Sequence, residues 1–399
     1  MTMRAKIVLV LLLALGLISS DMKEKPMFGL QQVMKRKGEV GAYSIPQIVV
    51  TNKGTALCFA TARMASNDDW GNIQKVVLSR SMDGGTTWDA PRVIASRDSI
   101  AVNGGAGIID PKNGTIYYYG RKYPLRTETG EKATESWAYA HPEQYKALGG
   151  GSCCIYSKDE GLTWSPMRDV DFPYEVMGTG IILQHGKYKG RWLLPGRVTL
   201  SKGFDWNYMY NGVMISDDRG KTWYKGGLSQ SHVGECTIVE LSDGSIYLNN
   251  RNHGEGYGYR NHAISCNGGL TFASFAVDTQ LIDAVCHASL IRCTSPENGN
   301  IILFANAAVK PTREWDSGAR RNMSVWLSTD DAKTWIYRRT VNPGKSGYSD
   351  LAVAPDGSVY LAFETGESDP RENITVAHFN LAWVMEGERL ISVFGKRKD

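Results

Sequence analysis

One short pattern recurs along the chain and restricts its architecture more than any other feature. Ser-x-Asp-x-Gly-x-Thr-Trp is complete at Ser81/Asp83/Gly85/Thr87/Trp88, Ser157/Asp159/Gly161/Thr163/Trp164 and Ser216/Asp218/Gly220/Thr222/Trp223. Two altered copies follow. In one, Asn267 stands for the aspartate and Phe272 for the tryptophan; in the other, Ala332 stands for the glycine between Asp330 and Thr334-Trp335. A carboxylate that accepts from nearby backbone N–H groups, a glycine that tolerates positive φ and an aromatic cover make a hairpin corner that forms from local contacts alone. These acidic positions are therefore read as turn chemistry, not as calcium sites or catalytic acids.

A second signal alternates with the first. Asn or Asp before Gly, followed by an apolar strand, occurs at Asn113-Gly114-Thr115-Ile116, Asp243-Gly244-Ser245-Ile246, Asn298-Gly299-Asn300-Ile301 and Asp356-Gly357-Ser358-Val359, with looser copies at Gly54 and Gly186. Such dipeptides are hairpin turns. The six markers recur at intervals of roughly 60 residues, room for about four short strands each, and no stretch sustains helical periodicity. The expected fold is all-β: a six-bladed β-propeller of four-stranded antiparallel sheets, with residues near Phe28 to Val33 and Ile374 to Trp383 closing the ring and hiding its edges.

Composition excludes several classes. With 45 basic and 41 acidic side chains the formal charge is +4, and 42% of residues are hydrophobic, so neither a nucleic-acid partner nor disorder is indicated. Arg4 and Lys6 precede the apolar run Ile7 to Ile18 and then Ser19-Ser20, the plan of a signal peptide over 1–20; the run is shorter than the about 20 residues a spanning helix needs. The reading is a secreted or periplasmic protein with no membrane span in the mature chain, residues 21–399 forming one catalytic propeller domain. Seven cysteines show no metal-ligand spacing, and Cys58, Cys236 and Cys286 read as small core residues. No metal and no cofactor is expected, since a glycine-rich phosphate loop and a dinucleotide fingerprint are also missing. Arg121 to Gly151 reads as a long insertion loop, a place where function often resides.

With its boxed turns the chain resembles the secreted exo-α-sialidases, six-bladed propellers that carry such aspartate boxes, and the resemblance runs from about Tyr43 to Trp383. Further segments carry it: Tyr43-Ser44-Ile45-Pro46, Arg63 and Asp69; Gly234-Glu235-Cys236 and Asn249-Asn250-Arg251; Arg320-Arg321-Asn322-Met323-Ser324; Ser346-Gly347-Tyr348-Ser349-Asp350-Leu351; and Phe363-Glu364. The resemblance implies a catalytic set of Asp69, Glu235 and Tyr348 and a substrate-binding set of Arg63, Arg251, Arg320 and Glu364, with Arg321 as the alternative to Arg320. Its chemistry is coherent. The anomeric carbon of a sialic acid bears a carboxylate that repels an anionic nucleophile, so a neutral phenol serves, activated by a neighbouring carboxylate. Arginine suits the sugar carboxylate because its planar fork donates two hydrogen bonds.

One position departs from the family pattern. Ser44 stands where the first of three carboxylate-binding arginines is expected, which leaves Glu364 without the partner it would orient. Three readings follow: a neighbouring cation such as Arg36, Lys37 or Arg121 replaces it; the pocket takes a different sugar; or the propeller binds carbohydrate without turnover. The expected partner is in each case a glycan or glycoconjugate. Trp70, Trp206, Tyr208, Tyr210, Tyr257 and Tyr259 are candidates for stacking on sugar faces.

Overall fold

The structure is a computed structural model that describes residues 24–295 and 299–390. The expected leader, the turn residue Asn298 and the basic tail at 396–399 lie outside the described residues. Among the described residues no helix is long and apolar enough to cross a membrane.

Strands follow one another in five sheets. The first comprises Val40–Val50, Ala56–Met64, Gln74–Ser81 and Arg92–Ala95. The second comprises Ile100–Ile109, Ile116–Pro124, Gly151–Ser157 and Arg168–Val170, and Gly178–Thr179 adds to it in parallel beside Ala106–Gly107. Trp192–Thr199, Met209–Ser216 and Tyr224–Ser231 form the third with the short Glu175–Val176 and Ile181–Ile182, and Val233–Glu240, Ile246–Asn252, Tyr259–Ser265 and Ala273–Ile282 form the fourth. The last sheet has eight strands. Its main path runs from Ser289–Ser295 through Gly299–Ala307, Arg321–Ser328, Tyr337–Val353, Val359–Gly366 and Asn373–Phe379 to the N-terminal Phe28–Lys35. Strands near the two limits of the described residues thus meet in one sheet, with Phe28 opposite Phe379 and Lys35 opposite Asn373.

The architecture is an all-β propeller, but its hydrogen bonding does not resolve into the expected six sheets of four. Tyr337–Val353 is the reason. It runs unbroken for 17 residues, pairing through its first half with Arg321–Ser328 and through its second with Val359–Gly366, so the last two sequence units share one sheet. Two further sheets gain a strand or more from the segment Glu175–Ile182.

Packing explains how strands that carry hydrophobic residues on both faces keep both faces covered here. Strand side chains alternate in direction, and in Ile116–Pro124 this sends Ile116 and Tyr118 against the first sheet and Tyr119 against the third. Likewise Ile246 and Leu248 pack toward the third sheet while Tyr247 packs toward the last. Each sheet is therefore the filling between two neighbours, as radial stacking requires.

The five boxed turns occupy equivalent positions, the corner between the third and fourth strands of a unit; in the first four sheets that fourth strand is the outermost, and in the last it is Tyr337–Val353, which is paired on both sides. Asp83 accepts from Ser81 Oγ at 2.9 Å, Thr87 N at 2.9 Å and Thr87 Oγ1 at 2.6 Å. Asp159, Asp218 and Asp330 repeat the pattern. Asn267 keeps the backbone acceptor at 2.9 Å to Thr271 N and reverses the side-chain bond, its amide donating to Thr271 Oγ1. The glycine is needed for a second reason at Gly161: φ is +74°, and a Cβ there would lie 2.2 Å from Leu57 of the adjacent sheet.

The insertion Arg121 to Gly151 is not only loop. It contains two one-and-a-half-turn helices, Glu135–Ala140 and Pro142–Ala147, the first capped by Thr134, whose Oγ1 accepts from Trp137 N.

Candidate active site

The inner strands of the sheets are regular except near one cavity. Register shifts fall between Ser44 and Gln47, Asn103 and Ala106, Val233 and Cys236, and Ser346 and Ser349. A bulge breaks the alternation and re-aims a side chain, and these four bulges surround a cavity of about 270 Å³. Its wall includes Arg63, Asp69, Arg251, Arg320, Tyr348, Glu235 and Glu364. Seven of the eight residues named from the sequence thus meet in one place.

The bulge at Gly234-Glu235 turns the Glu235 carboxylate toward Arg251, which ends the neighbouring strand. Arg251 Nη1 donates to Glu235 Oε2 at 2.8 Å and to Tyr348 Oη at 3.2 Å. Tyr348 Oη in turn donates to Glu235 Oε1 at 2.5 Å. Burial opposes ionisation of Glu235, yet the Arg251 guanidinium, with that of Arg197 behind it, holds its carboxyl well below the usual range. The same burial, reinforced by the Glu235 charge, pushes the Tyr348 phenol well above its ordinary value. At rest the pair is a carboxylate beside a neutral phenol. Arg320 follows the short turn Ser317–Ala319 and lies over the Tyr348 ring at 5.6 Å; Arg321, its alternative, is exposed and opposite Lys345.

Asp69 sits on the opposite lip with its side chain 66% exposed, and Arg63 Nη2 pairs with it at 2.5 Å. Arg63 also donates to Asn67 O at 2.8 Å, and Tyr123 Oη donates to Asp69 O at 2.6 Å, so the loop is held from two sides. Asp68 points away and pairs with Lys132 at 2.9 Å.

Ser44 is the exception. It is fully buried, it does not line the cavity, and its Oγ has no hydrogen-bond partner. The bulge presents Ile45 instead, with φ at +54°, a rare conformation for a β-branched residue. Glu364 is likewise not left unpaired, contrary to expectation: Ile45 N donates to its Oε1 at 3.0 Å and Tyr348 N to its Oε2 at 2.9 Å. It ties the two bulges together. Gly347 permits this approach, since a Cβ there would meet Glu364 Oε2 at 2.0 Å. Burial raises the Glu364 carboxyl above its ordinary value.

Of the cations suggested to replace the lost arginine, Arg36 lines a different cavity and lies 3.7 Å from Glu372, and Lys37 is exposed. Arg121 does reach the wall but is committed, at 3.1 Å, to Glu175. Sequence reasoning missed several wall residues. Arg197 pairs with Glu175 at 2.9 Å and with Glu135, which the first insertion helix delivers; the length of that insertion was the available signal. Arg371 and Trp315 also line the cavity. Trp206 stacks on His253 at 3.8 Å and Trp70 on Tyr123 at 4.3 Å, giving two aromatic walls, whereas Tyr208, Tyr210, Tyr257 and Tyr259 lie outside this lining. Burial lowers His287, 5.3 Å from the Tyr348 ring, to about 4, so it is neutral. No cluster with metal-ligand geometry occurs among the described residues.

Fold and cavity together define a propeller protein with a tyrosine, a carboxylate and several guanidinium groups converging at the centre of the ring. The chain belongs to the BNR repeat-like domain family, whose model matches residues 54–361. It is 29% identical over 361 residues to a sialidase of Micromonospora viridifaciens, which covers 86% of this chain but only 52% of that protein. It is 27% identical over 365 residues to Sialidase-2 of Rattus norvegicus, covering 83% of this chain and 91% of the rat protein. Among solved structures, the Hadza microbial sialidase Hz136 superposes with a TM-score of 0.71 at 22% identity, over 89% of this chain and 69% of that one. The chain spans about half the length of the Micromonospora relative.

Proposed function

We propose that the protein is a glycoside hydrolase of the exo-α-sialidase type that removes a terminal α-linked sialic acid, or a closely related acidic sugar, with retention of configuration. The observation that carries this reading is the 2.5 Å bond between Tyr348 Oη and Glu235 Oε1, bridged by Arg251. A binding-only propeller has no use for a buried phenol held against an ionised base.

The first step attaches Tyr348 Oη to the anomeric carbon as the bond to the leaving oxygen breaks. Glu235 takes the phenol proton as that oxygen becomes nucleophilic, and Arg251 and Arg320 stabilise the charge that develops on it. Asp69 donates a proton to the departing oxygen from the exposed lip, where an aglycone can leave. In the second step Asp69 takes a proton from water, which attacks the anomeric carbon as the bond to Tyr348 Oη breaks, and the proton on Glu235 returns to that oxygen. A neutral nucleophile places the reaction outside the two-carboxylate scheme of most glycosidases. Arg251 and Arg320 also face the sugar carboxylate, while Glu364 acts as a positioning residue through the backbones of Ile45 and Tyr348.

Release of 4-methylumbelliferone from its α-sialoside tests the reading. The wild-type protein is expected to release it with Michaelis kinetics and Tyr348→Phe to lose nearly all turnover. Binding of sialosides on a glycan array with no turnover by the wild type supports the lectin alternative, and turnover only of neutral or other acidic glycosides supports the different-sugar alternative.

A further inference from the structure

The cavity holds more guanidinium groups than its carboxylates occupy. Arg63 is taken up by Asp69, Arg121 and Arg197 by Glu175 and Glu135, and Arg251 by Glu235 and Tyr348. Among the described residues, Arg320 donates no side-chain hydrogen bond; its contact is the Tyr348 ring. Arg371 has one acidic partner, Asp369, reached through Nε at 3.2 Å and Nη2 at 3.3 Å, and its Nη1 is uncommitted.

Arg371 also stands in the right place. Tyr43 N donates to Arg371 O at 3.0 Å, which fixes the residue beside the bulge where Ser44 turns inward and Ile45 faces the cavity. Arg251, Arg320 and Arg371 together line the central cavity and a smaller one of about 220 Å³ next to it, so they form a shared wall. Arg251 and Arg371 each have one anion already, Glu235 and Asp369, while among the described residues Arg320 forms no ion pair, so the wall keeps a positive charge for an anionic ligand. Asp369 aims the third: it accepts from Asn67 Nδ2 at 3.1 Å, in the loop that carries Asp69.

We propose that Arg371 is the third guanidinium of a carboxylate clamp with Arg251 and Arg320, supplied by the turn before Asn373–Phe379 in place of the arginine that Ser44 does not provide. The inference rests on the acidic-sugar reading and names the residue that makes the pocket select an acid. A planar fork with a free Nη1 suits a carboxylate better than a point cation does.

Calorimetric titration with 2-deoxy-2,3-didehydro-N-acetylneuraminic acid and with its methyl ester tests the assignment. In Arg371→Ala the acid is expected to bind roughly 10- to 100-fold more weakly, the scale of one charge-assisted contact, with the ester unchanged. Arg371→Lys, which keeps the charge and the bulk near the site, is expected to fall between the two. Equal losses for acid and ester, or unchanged affinity for the acid in both variants, overturn the assignment while the acidic-sugar reading stands. A wild-type protein that binds the ester and acid equally well overturns both, as does one that binds neither.

Discussion

Two sets of acidic side chains hold this molecule together in different ways. At the outer corners, Asp83 is exposed and Asp159 and Asp218 are half-buried, and all three are held down to about 2 by hydrogen bonds, led by the Thr hydroxyl and backbone N–H of the same turn. At the centre, Glu235 is also held low, but it is buried and the groups that act on it come from a neighbouring strand and two other sheets: Arg251, Arg197 and Tyr348. The corner carboxylates find their partners within seven residues of chain, as from Ser81 to Thr87. The central one needs a finished ring. Stability is local in one region and assembled in the other.

That contrast sets the order of expected effects. The largest is at the centre. Glu235→Gln is expected to lower kcat on the fluorogenic sialoside about 10³-fold, because the phenol loses its base. It is also expected to lower unfolding free energy by about 3 kcal/mol, because Arg251 is left as a buried cation without its anion. A fall in activity with no loss in denaturant midpoint breaks the comparison on the stability side.

Ser44→Arg comes next. Ser44 is fully buried and does not line the cavity, so an arginine there must displace packed neighbours before its guanidinium reaches a partner. The expected result is a loss of about 3 kcal/mol or more and no gain in sialoside turnover. Higher turnover in a well-folded variant contradicts the placement of Ile45, rather than residue 44, on the cavity wall.

A third test uses a central acid with the opposite shift. Asp350 accepts from Ile48 N at 2.9 Å and from Thr179 Oγ1 at 2.7 Å, joining three sheets, and burial raises its carboxyl from 3.8 to about 7. The folded protein keeps a proton that the unfolded chain releases. Its contribution is therefore full below about pH 4 and is lost as pH rises toward 7. The melting temperature of Asp350→Asn is expected to vary less with pH across that window than the wild type's; parallel curves reject the buried, protonated carboxyl.

The smallest effect belongs to the corners. Asp218→Asn reproduces what Asn267 already does in the fourth sheet, so Tm is expected to move by no more than about 2 °C and kcat not at all. A large fall in Tm shows that a corner is coupled to the ring, not closed within itself.

The same contrast explains what the sequence makes legible. Boxed turns and Asn/Asp-Gly hairpins carry their whole physics in a few adjacent residues, so the propeller and the corner at Ser81 to Trp88 can be read directly. Glu235, Arg251, Arg320 and Tyr348 are recognisable through the segments around them, and the ring brings them together. Bulges and sheet boundaries are not written in this way. The bulge between Ser44 and Gln47 decides that Ile45, not Ser44, faces the cavity. Nothing local to Tyr337–Val353 announces that it will run straight through two repeat units. Arg371, Arg197 and Glu135 reach the wall from a turn, a neighbouring strand and an insertion helix, and only tertiary packing shows where they point.

The central claim is that Tyr348, primed by Glu235, bonds to the sugar. A sialosyl fluoride bearing a second fluorine at C3 slows release of a covalent intermediate, so peptide mass analysis after brief incubation reads the nucleophile directly. The account predicts one added fluorosialosyl group on the peptide containing Tyr348, absent in Tyr348→Phe. An adduct on another residue, or turnover of the reagent with no adduct at any time, contradicts it.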